Sequence, residues 1–206
     1  MQRDEYWLFE MAVEYRIPVP CLVHPELEVL FNKPSHRLNR RQLFTVLRSQ
    51  FDRGYFIAHQ ESRGDFIPAN DELWSSLEHV PLNNRETSIY YGLTAAGGRL
   101  WEACVSPRWD RYICEAYADD VGEILAVDQH LVTEYLRTLP HVGIDICPES
   151  MAWASLTPWP ATYWKTLPLG CRVHFQYRRT EYIDWSLVPD AYHKLHVWFS
   201  PPDWPG

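Results

Sequence analysis

The residues whose spacing could support chemistry are few, beginning with a histidine pair near the C-terminal end. His193 and His196 stand three positions apart, which would bring two imidazoles together around a metal ion if the segment were helical. The alternation of apolar and polar residues around them predicts a strand instead. In a strand an offset of three puts the two rings on opposite faces. We therefore predict no metal site there.

An acidic pair and a glycine pair are also weak indicators of a catalytic centre. Asp119 and Asp120 are adjacent carboxylates, but together with Gly122 they form a stretch typical of a solvated turn. Gly97 and Gly98 lack the Lys-Ser/Thr pair that completes a phosphate-binding loop. Neither pair predicts general acid-base or phosphoryl chemistry.

The five cysteines show no pattern of a disulfide or zinc framework. They are odd in number and widely spaced, and no two form a Cys-x-x-Cys pair. We expect reduced, unmetallated thiols, no cofactor and no enzymatic activity. The cysteines are Cys21, Cys104, Cys114, Cys147 and Cys171.

A local basic cluster stands out against an acidic chain. The formal net charge is −8, yet Asp52 is the only acid among the basic residues of 33–53. Lys and Arg side chains supply most of the affinity of a protein for nucleic-acid phosphates. The overall negative charge weighs against a general polyanion binder, so any nucleic-acid contact is expected at this cluster. The predicted nucleic-acid-binding residues are Lys33, Arg37, Arg40, Arg41, Thr45 and Arg48.

A helix is expected to position the cluster. Asn39 and Gln42 form a capping-box pattern, and residues 40–53 contain neither Gly nor Pro. At about 100° per residue, the apolar side chains cover one broad side and the basic ones lie opposite. This pattern predicts a helix docked on a core. Its apolar residues are Leu43, Phe44, Val46, Leu47 and Phe51.

Two strands and a further helix are predicted to follow. Gly54 occupies the position of a left-handed residue that ends a helix, and residues 55–58 have the composition of a strand. A second strand is predicted at 88–93, followed by a helix that Thr94 caps. The polar segment between the strands, 59–87, is predicted to hold a helical turn at 71–77. We also expect Ile57 and Leu93 to be buried against the helix.

The stretch 38–102 resembles the winged-helix module of bacterial regulators, especially the PadR-like and MarR-like groups. The resemblance rests on residues 41–47, 51–57 and 91–97. It implies that the first two runs are the recognition helix and first wing strand, and that the third is the returning strand with the next helix. It further implies DNA binding. The long segment 59–87 departs from the family and could cover the surface that would otherwise meet DNA.

The N-terminal part supplies two further predicted helices. Residues 4–15 form a helical segment with more apolar surface than one stripe requires, so we expect a homodimer contact around Trp7 and Phe9. A short helix is predicted at 25–31, because Pro25 suits a first helical turn. Three helices before a β-ribbon is the winged-helix order.

A second domain is predicted after a boundary near 106–111, giving domains 1–108 and 109–206. It is acidic and Trp-rich, with six of the ten tryptophans between 153 and 204. These aromatics either fill a small core or form a partner surface. We expect antiparallel strands and a helix capped by Asp128. The strands are predicted at 112–118, 123–127, 143–147, 171–178 and 195–199.

The whole chain is thus predicted to be α+β, with a winged helix followed by a small α+β domain. No apolar run of its 206 residues is long enough to span a bilayer, and we expect a soluble cytoplasmic protein without a membrane contact. The leading interpretation is a non-enzymatic DNA-binding regulator that contacts double-stranded DNA. The alternative is a protein-interaction module, such as an acidic inhibitor or immunity-type protein that uses the winged helix as a scaffold.

Overall fold

The computed structural model describes residues 1–78, 86–180, 183, 192, 195 and 197–204. The chain divides into two compact units. The first comprises Met1–Cys104, Thr162–Trp164 and Asp203–Gly206, and the second comprises Val105–Ala161 and Lys165–Pro202. The sequence predicts one division after residue 108. In the structure, short segments from the C-terminal half belong to the first unit.

The first unit combines helices with a small antiparallel sheet. In chain order its elements are α1 (Arg3–Met11), β1 (Ile17–Pro18), α2 (Leu27–Phe31), α3 (Arg40–Asp52), β2 (Phe56–Gln60), β3 (Gly64–Phe66), α4 (Asn70–Ser76), β4 (Tyr90–Leu93) and α5 (Ala95–Val105). The strands lie in the sheet in the order β1-β4-β2-β3.

Local signals set both ends of α3 as predicted. The Gln42 amide donates to Asn39 Oδ1 at 3.0 Å, and the Asn39 amide donates to Gln42 Oε1 at 2.9 Å. These reciprocal bonds satisfy amides that the first helical turn leaves without partners. Gly54 follows the helix with a φ of +69°, the left-handed conformation expected there. The helix therefore begins and ends where the sequence indicates.

The predicted pairing of the two strands is confirmed, with one change in the core. Phe56 lies opposite Leu93 in the antiparallel register of β2 and β4. Phe56 and Leu93 are buried with Leu47 of α3, whereas Ile57 is only half-buried. Side chains alternate along a strand, so the burial of Phe56 turns Ile57 to the other face. The prediction of Ile57 as a core residue is wrong for that reason.

The first helix is shorter than predicted and its aromatic residues are used within the unit. It ends at Met11, and the carbonyls of Ala12 and Val13 accept bonds from the Tyr163 hydroxyl and the Trp164 indole. Trp7 and Phe9 are 7% and 1% exposed. These two side chains are therefore buried within the unit and are not exposed for a homodimer contact.

The second unit is built on an antiparallel sheet, and a helix packs against it. The strand order is β5-β6-β11-β7, and β8 also pairs with β11. Val132 and Tyr135 of the helix are buried with Val173 of β11. The elements are β5 (Ile113–Ala118), β6 (Val121–Ala126), α6 (Gln129–Thr138), β7 (Ile144–Ile146), β8 (Ala152–Leu156), β9 (Trp159–Pro160), β10 (Thr166–Leu167) and β11 (Gly170–Arg179).

Most predicted elements of this unit are present. Asp128 caps α6 by accepting a bond from the Leu131 amide at 2.8 Å. The predicted strand over 195–199 is wrong, because Leu195 is helical and the described residues from 197 onward form no strand. Trp198 is 6% exposed while its neighbour Val197 is 55% exposed, so the short alternation did not reflect burial.

Helices and antiparallel strands together make the chain α+β, as predicted. Among the residues that the structure describes, none of the helices has the length and apolar character needed to cross a bilayer.

Candidate nucleic-acid interface and adjoining pocket

The N-terminal half of α3 carries the open part of the predicted interface. Leu43 and Leu47 are fully buried, whereas Arg40, Arg41 and Thr45 are exposed. The Thr45 hydroxyl donates to the carbonyl of Arg41 at 2.9 Å, which holds that side chain close to the helix. This part of the surface therefore presents two guanidinium groups beside a hydroxyl oxygen.

Arg48 is engaged inside the first unit. Its guanidinium donates to the carbonyl of Pro68 at 2.7 Å and pairs with Asp52 at 2.5 Å. The same group lies 5.9 Å from the centre of the Phe51 ring. Its side chain is only 18% exposed. In this structure Arg48 connects α3 to the segment that follows β3.

The inserted helix α4 packs against the flank of α3. The rings of Phe44 and Trp74 meet edge to face, with 5.5 Å between their centres. The insertion was expected to be able to cover the DNA-facing surface. In the structure it contacts the flank that bears Phe44 and Arg48, whereas Arg40 and Arg41 remain exposed.

The two basic residues before α3 differ in availability. Lys33 forms an ion pair with Glu10, whose side chain is only 13% exposed. Arg37 is exposed, and its backbone amide donates to Asp4 Oδ1 at 3.1 Å. The structure thus brings Arg37 to the surface near the start of α3, while the charge of Lys33 is paired.

A pocket of about 600 Å³ adjoins this surface. It is formed by the turn that precedes α2, by α2 itself and by the residues leading into α3. Arg40, one of the predicted DNA contacts, also lines it. The polar side chains of its wall are His24, Glu26, Glu28, Ser35, His36 and Arg40.

Hydrogen bonds hold two titratable groups of this pocket in place. Glu28 Oε1 accepts from the Ser35 amide at 3.1 Å and from the Ser35 hydroxyl at 2.9 Å, and these bonds lower the pKa of the carboxyl. The Leu38 amide donates to His36 Nδ1 at 3.2 Å, so Nε2 carries the proton that is donated to the Leu22 carbonyl at 2.9 Å. Burial lowers the pKa of His36, which favours its neutral form.

The other residues considered for chemistry have structural positions or lie outside the described residues. Gly97 and Gly98 are buried in α5, and Asp119 and Asp120 are exposed turn residues with φ of 49° and 62°. In the described part of the chain, no group of three or more His, Cys, Asp or Glu side chains is placed to hold a metal ion. None of the five cysteines forms a disulfide bond. His193 and His196 fall outside the described residues.

The second unit contains a carboxylate held by two tyrosines. Tyr117 donates to Glu115 Oε2 at 2.8 Å, and the Tyr135 hydroxyl donates to the same oxygen. Burial is the main cause that raises the pKa of both tyrosines, and the negative charge of Glu115 raises it further. The hydrogen bonds of this cluster connect β5 to α6.

Sequence reasoning missed the pocket and its polar wall. Glu28, Ser35 and His36 have no motif spacing, and their contacts depend on the fold of the segment between α2 and α3. One local signal was present, because Asn32 ends α2 with a φ of +46° and Asn tolerates that conformation better than most residues. That signal predicts a turn, but not a cavity.

The chain matches no protein-family model, no curated protein and no solved structure.

Proposed function

We propose that the protein is a non-enzymatic DNA-binding regulator whose first unit is a winged helix. The supporting observation is the exposure of Arg40 and Arg41 on a helix whose opposite side is buried in the core. In helix-turn-helix proteins the N-terminal residues of the recognition helix reach the base edges in the major groove. The order of elements in the first unit also fits this proposal, because three helices, with the short strand β1 between the first two, precede the antiparallel pair β2 and β3.

The proposed interface is smaller than the sequence alone predicts. Arg37, Arg40, Arg41 and Thr45 are its members, because they are exposed at and before the start of α3. Lys33 and Arg48 support the fold through their internal partners. With few phosphate contacts and a net charge of −8, the expected affinity is low, and its salt slope is modest because the slope follows the number of phosphate contacts.

The test compares Arg-to-Gln changes at the two ends of α3. Fluorescence anisotropy with short mixed-sequence duplexes is measured over a salt series, starting near 50 mM. Replacing both Arg40 and Arg41 by Gln should abolish most binding and reduce the salt slope by about 0.9 for each lost phosphate contact. Arg53→Gln is the control, because Arg53 is exposed at the C-terminal end of the helix.

Equal affinities of the double variant and the wild-type protein would contradict this interface. The absence of duplex binding by the wild-type protein at low salt would contradict the function itself. Both outcomes favour the second candidate, a protein-interaction module of the acidic inhibitor or immunity type. That candidate is supported by α4 packing on the flank of α3 and by the internal engagement of Arg48. Tight binding to a protein partner by a chain without DNA affinity would establish it.

A further inference from the structure

The pocket beside α3 has the size of a small-molecule site. Its volume of about 600 Å³ lies within the range of roughly 300–1,000 Å³ that is common for ligand pockets. Apolar side chains supply part of its wall, including Leu22, Val23 and Leu27. An apolar group of modest size can therefore pack against this wall, and the removal of its surface from water favours binding.

A fixed negative charge lies in the same wall. Both bonds from Ser35 end on Oε1 of Glu28, at 3.1 Å from the amide and 2.9 Å from the hydroxyl. They orient the carboxylate before a ligand arrives, which reduces the ordering cost of binding. Ionised carboxylates accept strong hydrogen bonds from ammonium groups.

A positive charge and a neutral ring complete the polar wall. Arg40 lines the pocket from the first turn of α3 and is exposed. His36 uses both ring nitrogens in bonds to the backbone, at Leu22 and Leu38, so it shapes the wall without contributing charge. The groups of the wall whose charge does not depend on a histidine are the Arg40 guanidinium and the carboxylates of Glu26 and Glu28.

We propose that this pocket binds a small zwitterion with an apolar side chain, that is, a free aliphatic α-amino acid. Its ammonium group contacts Glu28, its carboxylate contacts Arg40, and its side chain packs on the apolar wall. A simple anion would meet the two carboxylates unfavourably, and a simple cation would meet Arg40 in the same way. A zwitterion satisfies both signs of charge.

The test is isothermal titration calorimetry of the full chain, without DNA, using three matched probes. L-Leucine carries both charges, 4-methylpentanoate lacks the ammonium group, and 3-methylbutylamine lacks the carboxylate. L-Leucine should bind saturably, and each single-charge probe should bind about tenfold or more weakly, because one charge-assisted contact is lost. L-Valine, L-isoleucine and L-methionine extend the series to other side chains.

Two pocket variants assign the contacts. Glu28→Gln keeps an oxygen acceptor for Ser35, so it removes the charge while preserving the local fold. It should weaken L-leucine about tenfold or more without weakening 4-methylpentanoate. Arg40→Gln should weaken L-leucine without weakening 3-methylbutylamine. Arg53→Gln, outside the pocket, should leave all affinities unchanged.

The proposal is overturned if none of the four amino acids binds saturably, or if Glu28→Gln and Arg40→Gln bind L-leucine as the wild-type protein does. Circular dichroism of each variant checks that the fold is retained. Since DNA is absent from the titration, failure of the DNA-binding proposal leaves this result unaffected, and failure here leaves DNA binding unaffected.

Discussion

Gly98 lies directly against the indole of Trp164, so closely that a Cβ on this glycine would be 2.0 Å from Cζ3 of the ring. The contact belongs to the first unit, in which the Trp164 indole also donates to the Val13 carbonyl at 2.8 Å. Glycine is normally unfavourable within a helix by about 1 kcal/mol relative to alanine. At this position the absence of a side chain makes room for a ring.

Gly98→Ala should therefore destabilise the protein despite the better helix propensity of alanine. We expect the free energy of unfolding to fall by roughly 1–3 kcal/mol, the usual cost of overpacking, as measured by urea denaturation. Arg99→Ala, at the exposed neighbouring position of α5, is the control and should change stability by less than about 0.5 kcal/mol.

A double-mutant cycle shows whether the ring is responsible. Trp164→Leu removes the ring atoms that the new methyl group would meet, so Gly98→Ala should cost less in that background. Equal costs in the two backgrounds would contradict the explanation.

Arg48→Gln should affect stability more than DNA binding. Its guanidinium is bonded to the Pro68 carbonyl and to Asp52, and the first of these bonds fixes the segment leading into α4. Because Asp52 is 63% exposed, most of the effect should come from the bond to Pro68, and we expect a loss of about 1–2 kcal/mol in urea denaturation. The salt slope of duplex binding should stay at the wild-type value. A reduced slope with unchanged stability would instead make Arg48 a phosphate contact.

His36 should make folding stability fall in mild acid. Burial lowers the pKa of the ring in the folded protein, although the bond to the Leu22 carbonyl and the charge of Asp4 act in the opposite direction. The unfolded state, with a histidine pKa of about 6.5, then binds more protons. The contribution of His36 to the free energy of unfolding is therefore complete above a pH of about 6.5. It is lost as the pH falls towards the lower pKa of the folded state.

His36→Phe tests this dependence, because it retains a ring for the edge-to-face contact with Trp7, whose centre is 5.1 Å away. The variant should be less stable at neutral pH, since two hydrogen bonds are lost, but its stability should change less between pH values of about 7 and 5. Urea denaturation at both pH values measures the difference. His130→Gln is the control, because that side chain is 81% exposed. An unchanged pH dependence in His36→Phe would refute this explanation.

The features that the sequence predicts well are those that neighbouring residues determine. Asn39 and Gln42 satisfy each other across one helical turn, and Asp128 caps α6 in the same way. The burial of Leu43, Leu47 and Phe51 follows from helical spacing. These predictions need only the geometry of a single helix.

The features that the sequence could not predict depend on partners distant in the chain. Arg48 was expected to be free because its helical position faces away from the core, but Pro68 lies 20 residues further on. Tyr163 bonds to the carbonyl of Ala12, 151 residues earlier. The pocket also required the path of the chain between α2 and α3. Periodicity gives the orientation of a side chain within its element, but it does not identify what the side chain meets.

The place of Tyr163 within the first unit has a consequence for how this protein is made. Its hydroxyl accepts from the Leu93 amide and donates to the Ala12 carbonyl, so two elements of that unit share an atom supplied late in synthesis. A nascent chain that has emerged only as far as α5 lacks this group. Its N-terminal part can form these two hydrogen bonds only after residue 163 has been translated. A fragment cut at residue 108 would carry the arginine helix but would lack that shared hydroxyl.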